Sequence, residues 1–100
     1  MIILKFGSSL KPFSELGALV LTKGVDALVR SEQFDPFRYF GRHLQGDWGD
    51  VCDEDRRVNE DALISGERLM SVYEVEPGLT LWIITEADRS VTTILLPEEY

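Results

Sequence analysis

The chain has 100 residues, 44% of them hydrophobic, and a formal net charge of −8 from 18 acids against 10 bases. That gives one domain with one core, too apolar for a disordered chain and too short for a deep, closed active site beside that core. The charge repels nucleic acid, and the bases are scattered, with Arg38, Arg42 and His43 the nearest to a cluster. Direct DNA binding is therefore not expected, although an acidic surface that imitates DNA phosphates and engages a DNA-binding protein is compatible with the composition. The single cysteine, Cys52, excludes an intrachain disulfide and suits a reducing compartment. No stretch is apolar enough to span a bilayer, and the start lacks the order of charge and apolar run of a signal peptide, so a cytoplasmic protein is expected.

Taken in chain order, Ile2 to Phe6 reads as a short strand, Gly7-Ser8-Ser9 as a loop, and Pro12 restricts its neighbours within the weakly patterned residues 1–12. Leu16 to Leu21 is an apolar run of strand or extended character. Thr22 to Arg30 reads as a helix, with Thr22 able to accept from first-turn amides and with Val25, Leu28 and Val29 on one face. Phe34 to Leu44 is a second helix. Asp35 is its N-cap, Pro36 occupies the first helical position, and Phe37, Phe40 and Leu44 share a face.

Asp53 to Ser65 is a third helix, with Asp53 or Asp55 as N-cap, an apolar stripe of Val58, Ala62 and Leu63 that can extend to Ile64, and Gly66 just past its end. Arg68 to Val75, Leu79 to Thr85 and Val91 to Leu96 are rich in β-branched and aromatic residues and read as strands. Glu76-Pro77-Gly78 suits a type II turn, and Glu86 to Ser90 makes the second connection. Links this short require antiparallel neighbours. The expected fold is a single two-layer α+β domain of two or three helices on a three-stranded antiparallel meander.

The stretch His43-Leu44-Gln45-Gly46-Asp47-Trp48-Gly49-Asp50 gathers the most chemistry. His43, the only imidazole, is a general base if it is open to substrate and a helix-capping side chain if it is not. Asp47 and Asp50 fail the spacing of a calcium loop, and His43 with Cys52 falls short of a zinc set, so no metal and no cofactor are assigned. The aspartates read more simply as turn-forming acceptors. Trp48 between two glycines either packs on the core or marks a binding surface. Arg42, Asp47, Trp48 and Asp50 are the candidate binding residues. Arg89 could clamp a phosphate, and with His43 as base and Thr93 or Thr92 as hydroxyl donor it supplies the ingredients for metal-independent RNA cleavage. Helices followed by an antiparallel sheet resemble the barnase/RelE-like nucleases in architecture only. Asp47, Asp50, Asp53, Glu54, Asp55, Glu60 and Asp61 form an acidic run that is either a solvated face or a charged interface.

Arg42 to Asp50, Asn59-Glu60 with Ala62-Leu63, Gly66 to Leu69, Trp82 to Ser90 and Thr92 to Tyr100 resemble a group of small proteobacterial proteins carried on plasmids and integrated mobile elements. Some members of the group bear the label plasmid-related protein. Others bear a restriction-subunit name, for which a chain of this length lacks room. The resemblance spans most of the chain from Leu16 onward. It implies a mobile-element accessory role, with a host or element-encoded protein partner and an anti-defence or regulatory purpose, and it transfers no catalytic residue. Two functions follow: a small acidic protein-interaction domain, or a ribonuclease-like toxin using His43 and Arg89.

Overall fold

The computed structural model describes residues 2–5 and 17–100. The Gly7-Ser8-Ser9 loop, Pro12 and Leu16 lie outside them. The elements are β1 (Ile2–Lys5), β2 (Ala18–Leu21), α1 (Lys23–Arg30), α2 (Pro36–Leu44), α3 (Asp53–Ser65), β3 (Leu69–Glu76), β4 (Leu79–Thr85), β5 (Val91–Leu95) and a final 3₁₀ turn, Pro97–Glu99. Three helices, a meander and a single α+β domain are what the sequence pattern predicts. The meander β3-β4-β5 is antiparallel throughout, and Gly78 at φ +86° gives its first hairpin the left-handed residue the turn requires. A bulge between Glu74 and Glu76 shifts the register just before that turn.

The sheet is larger than the meander. Its order is β1-β2-β5-β4-β3, with β2 parallel to β5 and β1 antiparallel to β2. Strand alternation sends Leu69, Ser71 and Tyr73 of β3, Leu81, Ile83 and Thr85 of β4, Thr92 and Ile94 of β5, and Leu19 and Leu21 of β2 to one face, and all of these are buried. Val25 of α1, Phe40 and Leu44 of α2 and Ala62 of α3 complete the core against them.

The helix ends show where local grammar held and where a distant residue displaced it. Asp35 caps α2 by accepting from the Phe37 amide at 2.9 Å, with Pro36 in the first turn. Thr22 does not cap α1 with its side chain. Its hydroxyl donates to Glu99 at 2.5 Å, and the other oxygen of Glu99 accepts from the Gly24 amide at 2.8 Å. The carboxylate that serves the start of α1 thus comes from the far end of the chain. Cys52, not Asp53 or Asp55, occupies the cap position of α3, with no side-chain cap bond, while the acids fill the first turn near the positive end of the helix dipole.

Two apolar faces also differ from the expected stripes. Phe37 is 45% exposed, and α2 buries Pro36, Phe40, His43 and Leu44 instead. On α3 the fully buried residues are Asn59 and Ala62, with Leu63 partly buried. Val58 and Ile64 are 57% and 91% exposed. The helix turns toward β3 through a polar residue, Asn59.

Candidate functional site

The His43–Asp50 stretch ends α2 and runs along the outer edge of β3. Gly49 lies against Val72 in a parallel bridge, closely enough that a Cβ on Gly49 would meet the Val72 carbonyl oxygen at 2.1 Å, and its φ is +75°. Only glycine combines that approach with that backbone. Because β3 donates Leu69, Ser71 and Tyr73 toward β4, the backbone groups of Met70, Val72 and Glu74 point outward, where an open edge would invite pairing. The Met70 and Val72 groups and the Glu74 amide are satisfied one after another. Val72 donates to the Trp48 carbonyl at 3.1 Å and accepts from the Asp50 amide at 2.6 Å. Glu74 donates its amide to Asp50 Oδ2 at 2.8 Å. Asn59 of α3 acts as a surrogate strand for Met70, accepting from its amide at 3.0 Å and donating to its carbonyl at 2.7 Å. The buried polar residue on α3 is therefore an edge cap.

The other candidate binding residues hold this loop in place. Asp47 pairs with Arg42 (2.7 and 3.3 Å) and accepts from the Gly49 amide at 3.2 Å, an Asx-turn. The Arg42 contact holds the Asp47 carboxyl below its usual range, and the carboxylate in turn raises the Arg42 pKa. Arg42 also lies 4.7 Å from the centre of the Tyr73 ring, and the Tyr73 hydroxyl donates to the Asp47 carbonyl at 2.5 Å. Burial pushes the Tyr73 phenol up to about 12. Trp48 is 0% exposed. Its ring stands edge-on to His43 at 5.6 Å and its N–H donates to Glu60 at 2.6 Å, so the tryptophan is a core anchor whose polar tip reaches α3.

His43 is also 0% exposed. Its Nδ1 lies 2.5 Å from the Ser71 hydroxyl and its Nε2 2.9 Å from the Thr85 hydroxyl, which in turn is 2.8 Å from Thr92. A neutral ring has one N–H and one bare nitrogen, and hydroxyls can complement both. Burial drives the imidazole pKa down to about 3, and the charge of Arg89 adds to the effect. The ring is held neutral, with both nitrogens engaged and no path to solvent. Sequence reasoning missed this cluster, yet a signal for it existed. Ser71, Thr85 and Thr92 all fall on core-facing positions of their strands, where hydroxyls need a buried polar partner.

Arg89 closes the other end of α3. In a left-handed conformation at φ +63°, it donates to the carbonyls of Glu67 at 2.7 Å, Ala62 at 3.0 Å and Glu86 at 3.2 Å. A cation at carbonyls near a helix C-terminus is well placed, and its partial burial lowers its pKa. Thr93 lies on the sheet face opposite Thr92 and His43, beside Ile84 and Val20 in register. The structure thus brings Arg89 within electrostatic reach of His43 but places Thr93 on the other side of the sheet.

The seven acids of the 47–61 run separate into two sets. Asp47, Asp50 and Glu60 serve Arg42, the Glu74 amide and the Trp48 indole. Asp53, Glu54, Asp55 and Asp61 are exposed on α3 and make no side-chain hydrogen bond or ion pair among the described residues. Among the described residues, no group of three or more His, Cys, Asp or Glu side chains is gathered for a metal ion, and no helix is long and apolar enough to cross a membrane. No family model matches the chain, and no curated protein or solved structure matches it either.

Proposed function

We propose that the chain is a small acidic protein-interaction domain, of the kind a plasmid or integrated element carries to engage a host or element-encoded protein in an anti-defence or regulatory role. The observation that carries this reading is the exposed surface of α3. Four carboxylates stand there with no side-chain hydrogen bond or ion pair among the described residues, on a helix that buries only Asn59 and Ala62 of its 13 residues. The helix carries five acids against Arg56 and Arg57, so its surface is net negative and a basic partner complements it. The chemistry-bearing side chains of the His43–Asp50 stretch are meanwhile committed to holding the edge of β3. Among the described residues, the acidic helix is a surface open to a partner.

Affinity capture of a tagged chain from a proteobacterial lysate tests the reading. A partner retained at low salt and released at high salt is expected, because exposed charge pairs are screened. Recovery of no partner at low or moderate salt refutes it. An intermediate control replaces Asp53, Glu54, Asp55 and Asp61 with their amides, and this variant should lose the partner while remaining folded.

A further inference from the structure

The acidic helix forms one wall of a groove of about 230 Å³ between α3 and β3. Val51, Val58, Met70 and Val72 supply its apolar lining, and Asp55 and Arg68 its charges. The half-buried surface continues across the sheet. Val72 is paired in register with Trp82, whose ring stands edge-on to Tyr100 at 5.4 Å. Arg68 lies 5.7 Å from the Tyr100 ring and donates to its hydroxyl at 3.0 Å, with no acidic partner among the described residues. Tryptophan, tyrosine and arginine around an aliphatic floor are the side chains that dominate protein interfaces.

Two observations restrict what can occupy the groove. The outward backbone groups of Met70 and Val72 and the Glu74 amide are already bonded, by Asn59, by Trp48 and Asp50, and by the Asp50 carboxylate. An extended segment cannot add to this edge as a strand, so the occupant must satisfy its own backbone and present only side chains. A helix does both. On the α3 wall Asp55 lines the groove, and Glu54 and Asp61 border Val58 at helical spacings of four and three, so the side chains flanking the occupant's apolar ridge on that side must be basic. We propose that the groove between α3 and β3 receives a basic amphipathic helix of a partner protein, its aliphatic ridge set on Val58, Met70 and Val72 and its lysines or arginines over Glu54, Asp55 and Asp61. This rests on the interaction-domain reading above and gives that reading a place and a ligand chemistry.

The test uses a synthetic helical peptide of about 15 residues, long enough to hold helical structure, with a leucine ridge flanked by lysines. Two companion peptides carry serine in place of leucine, or glutamate in place of lysine. Titration into the isotopically labelled protein should shift the amides of Val51, Val58, Met70 and Val72 with the leucine–lysine peptide. Both companions should bind at least about tenfold more weakly, a loss of about 1.4 kcal/mol. Val58→Arg, at an exposed position, should weaken the leucine–lysine peptide by a similar factor and leave the amide spectrum folded. Equal binding of the serine peptide, no effect of Val58→Arg, or shifts confined to the outer face of α3 would overturn the groove. The same variant separates this proposal from the broader one. If lysate capture by Val58→Arg equals that by the wild type, the groove is wrong and the interaction domain stands. If neither form captures a partner, the broader reading falls as well.

Discussion

The protein should lose stability between pH 6.5 and pH 4.5 because of one residue. His43 has a pKa of about 3 in the folded state against an ordinary value near 6.5 in the unfolded chain. A group whose folded pKa is depressed contributes stability that is complete above the unfolded pKa and is lost as pH falls toward the folded one. Here the unfolded state takes up the proton first, and acid therefore favours unfolding. Each pH unit inside the window is worth up to about 1.4 kcal/mol, so the loss is about 2 kcal/mol at pH 5 and about 3 kcal/mol at pH 4. That is a substantial share of the roughly 5–15 kcal/mol expected of a domain this size. The carboxylates Asp47, Asp88 and Glu99 also have lowered values, and the stability they contribute is present above the ordinary carboxylate range and lost below it. The interval from 6.5 to 4.5 is thus largely the imidazole's own.

Urea unfolding at half-unit steps of pH measures this directly, and a conserved m-value keeps the comparison two-state. The chain has one histidine, so its ring resonances report the titration without overlap. They should stay unshifted down to pH 4.5 in the native protein. His43→Gln is the matched variant: neutral at every pH, able to donate to and accept from the Ser71 and Thr85 hydroxyls, and less stable at pH 7.5 by roughly 1–3 kcal/mol for imperfect geometry in a closed site. Its stability should be nearly flat where the wild type falls. An imidazole titrating near pH 6.5 in the folded protein, or an equal slope in wild type and variant, would refute the argument that the cluster is sealed.

Three further outcomes follow from the packing. Gly49→Ala should lower stability by at least about 2 kcal/mol in thermal or urea melts, since it combines left-handed backbone with a Cβ driven into the Val72 carbonyl. Asn59→Leu should cost roughly 2–3 kcal/mol by stranding the Met70 amide and carbonyl, and hydrogen exchange at Met70 should accelerate more than at Ser71, whose amide faces β4. Glu99→Ala should cost about 1 kcal/mol, the usual value of a lost helix cap, with the accelerated exchange centred on Gly24 and Leu96. Equal effects from Glu98→Ala, at the neighbouring exposed position, would remove the capping role.

Elements whose cause lies within a few residues were legible in the chain. Asp35-Pro36 announces a helix start, Pro77-Gly78 a tight hairpin, and Gly66 a helix end, and each holds because its physics is local: a cap bond to Phe37, φ +86° at Gly78, φ +82° at Gly66. What was not legible depends on partners far along the sequence. The parallel seam between Ala18–Leu21 and Val91–Leu95 joins segments about 70 residues apart, and no hydrophobic pattern names its own neighbour. Thr22 reads as a cap until Glu99, from far along the chain, accepts its hydroxyl hydrogen bond and takes over its role. The apolar stripe on α3 misled for a related reason. Helical periodicity assumes that a helix packs by burying aliphatic carbon, whereas α3 meets a strand edge, where the scarce commodity is hydrogen-bond partners. An asparagine faces inward and Val58 is left for the groove.

The acidic run makes the same point about function. Read as a block, seven carboxylates within 15 residues suggest one surface with one purpose. In three dimensions the donors around them decide otherwise. Asp47, Asp50 and Glu60 lie where the loop and α3 flank β3, and a guanidinium, a backbone amide and an indole N–H claim them. Asp53, Glu54, Asp55 and Asp61 are exposed on α3 and make no such bond among the described residues. Neutralising the first set should therefore loosen the β3 edge and lower stability. Neutralising the second should leave the fold intact, at a cost of at most about 1 kcal/mol for each acid lost from the first turn of α3, while abolishing salt-sensitive capture of a basic partner. A set of amide substitutions in each group, scored side by side for melting temperature and for capture, separates the two roles. If instead the four α3 amides lower the melting temperature as much as the three loop amides and capture is unchanged, the division of labour proposed for the run is wrong.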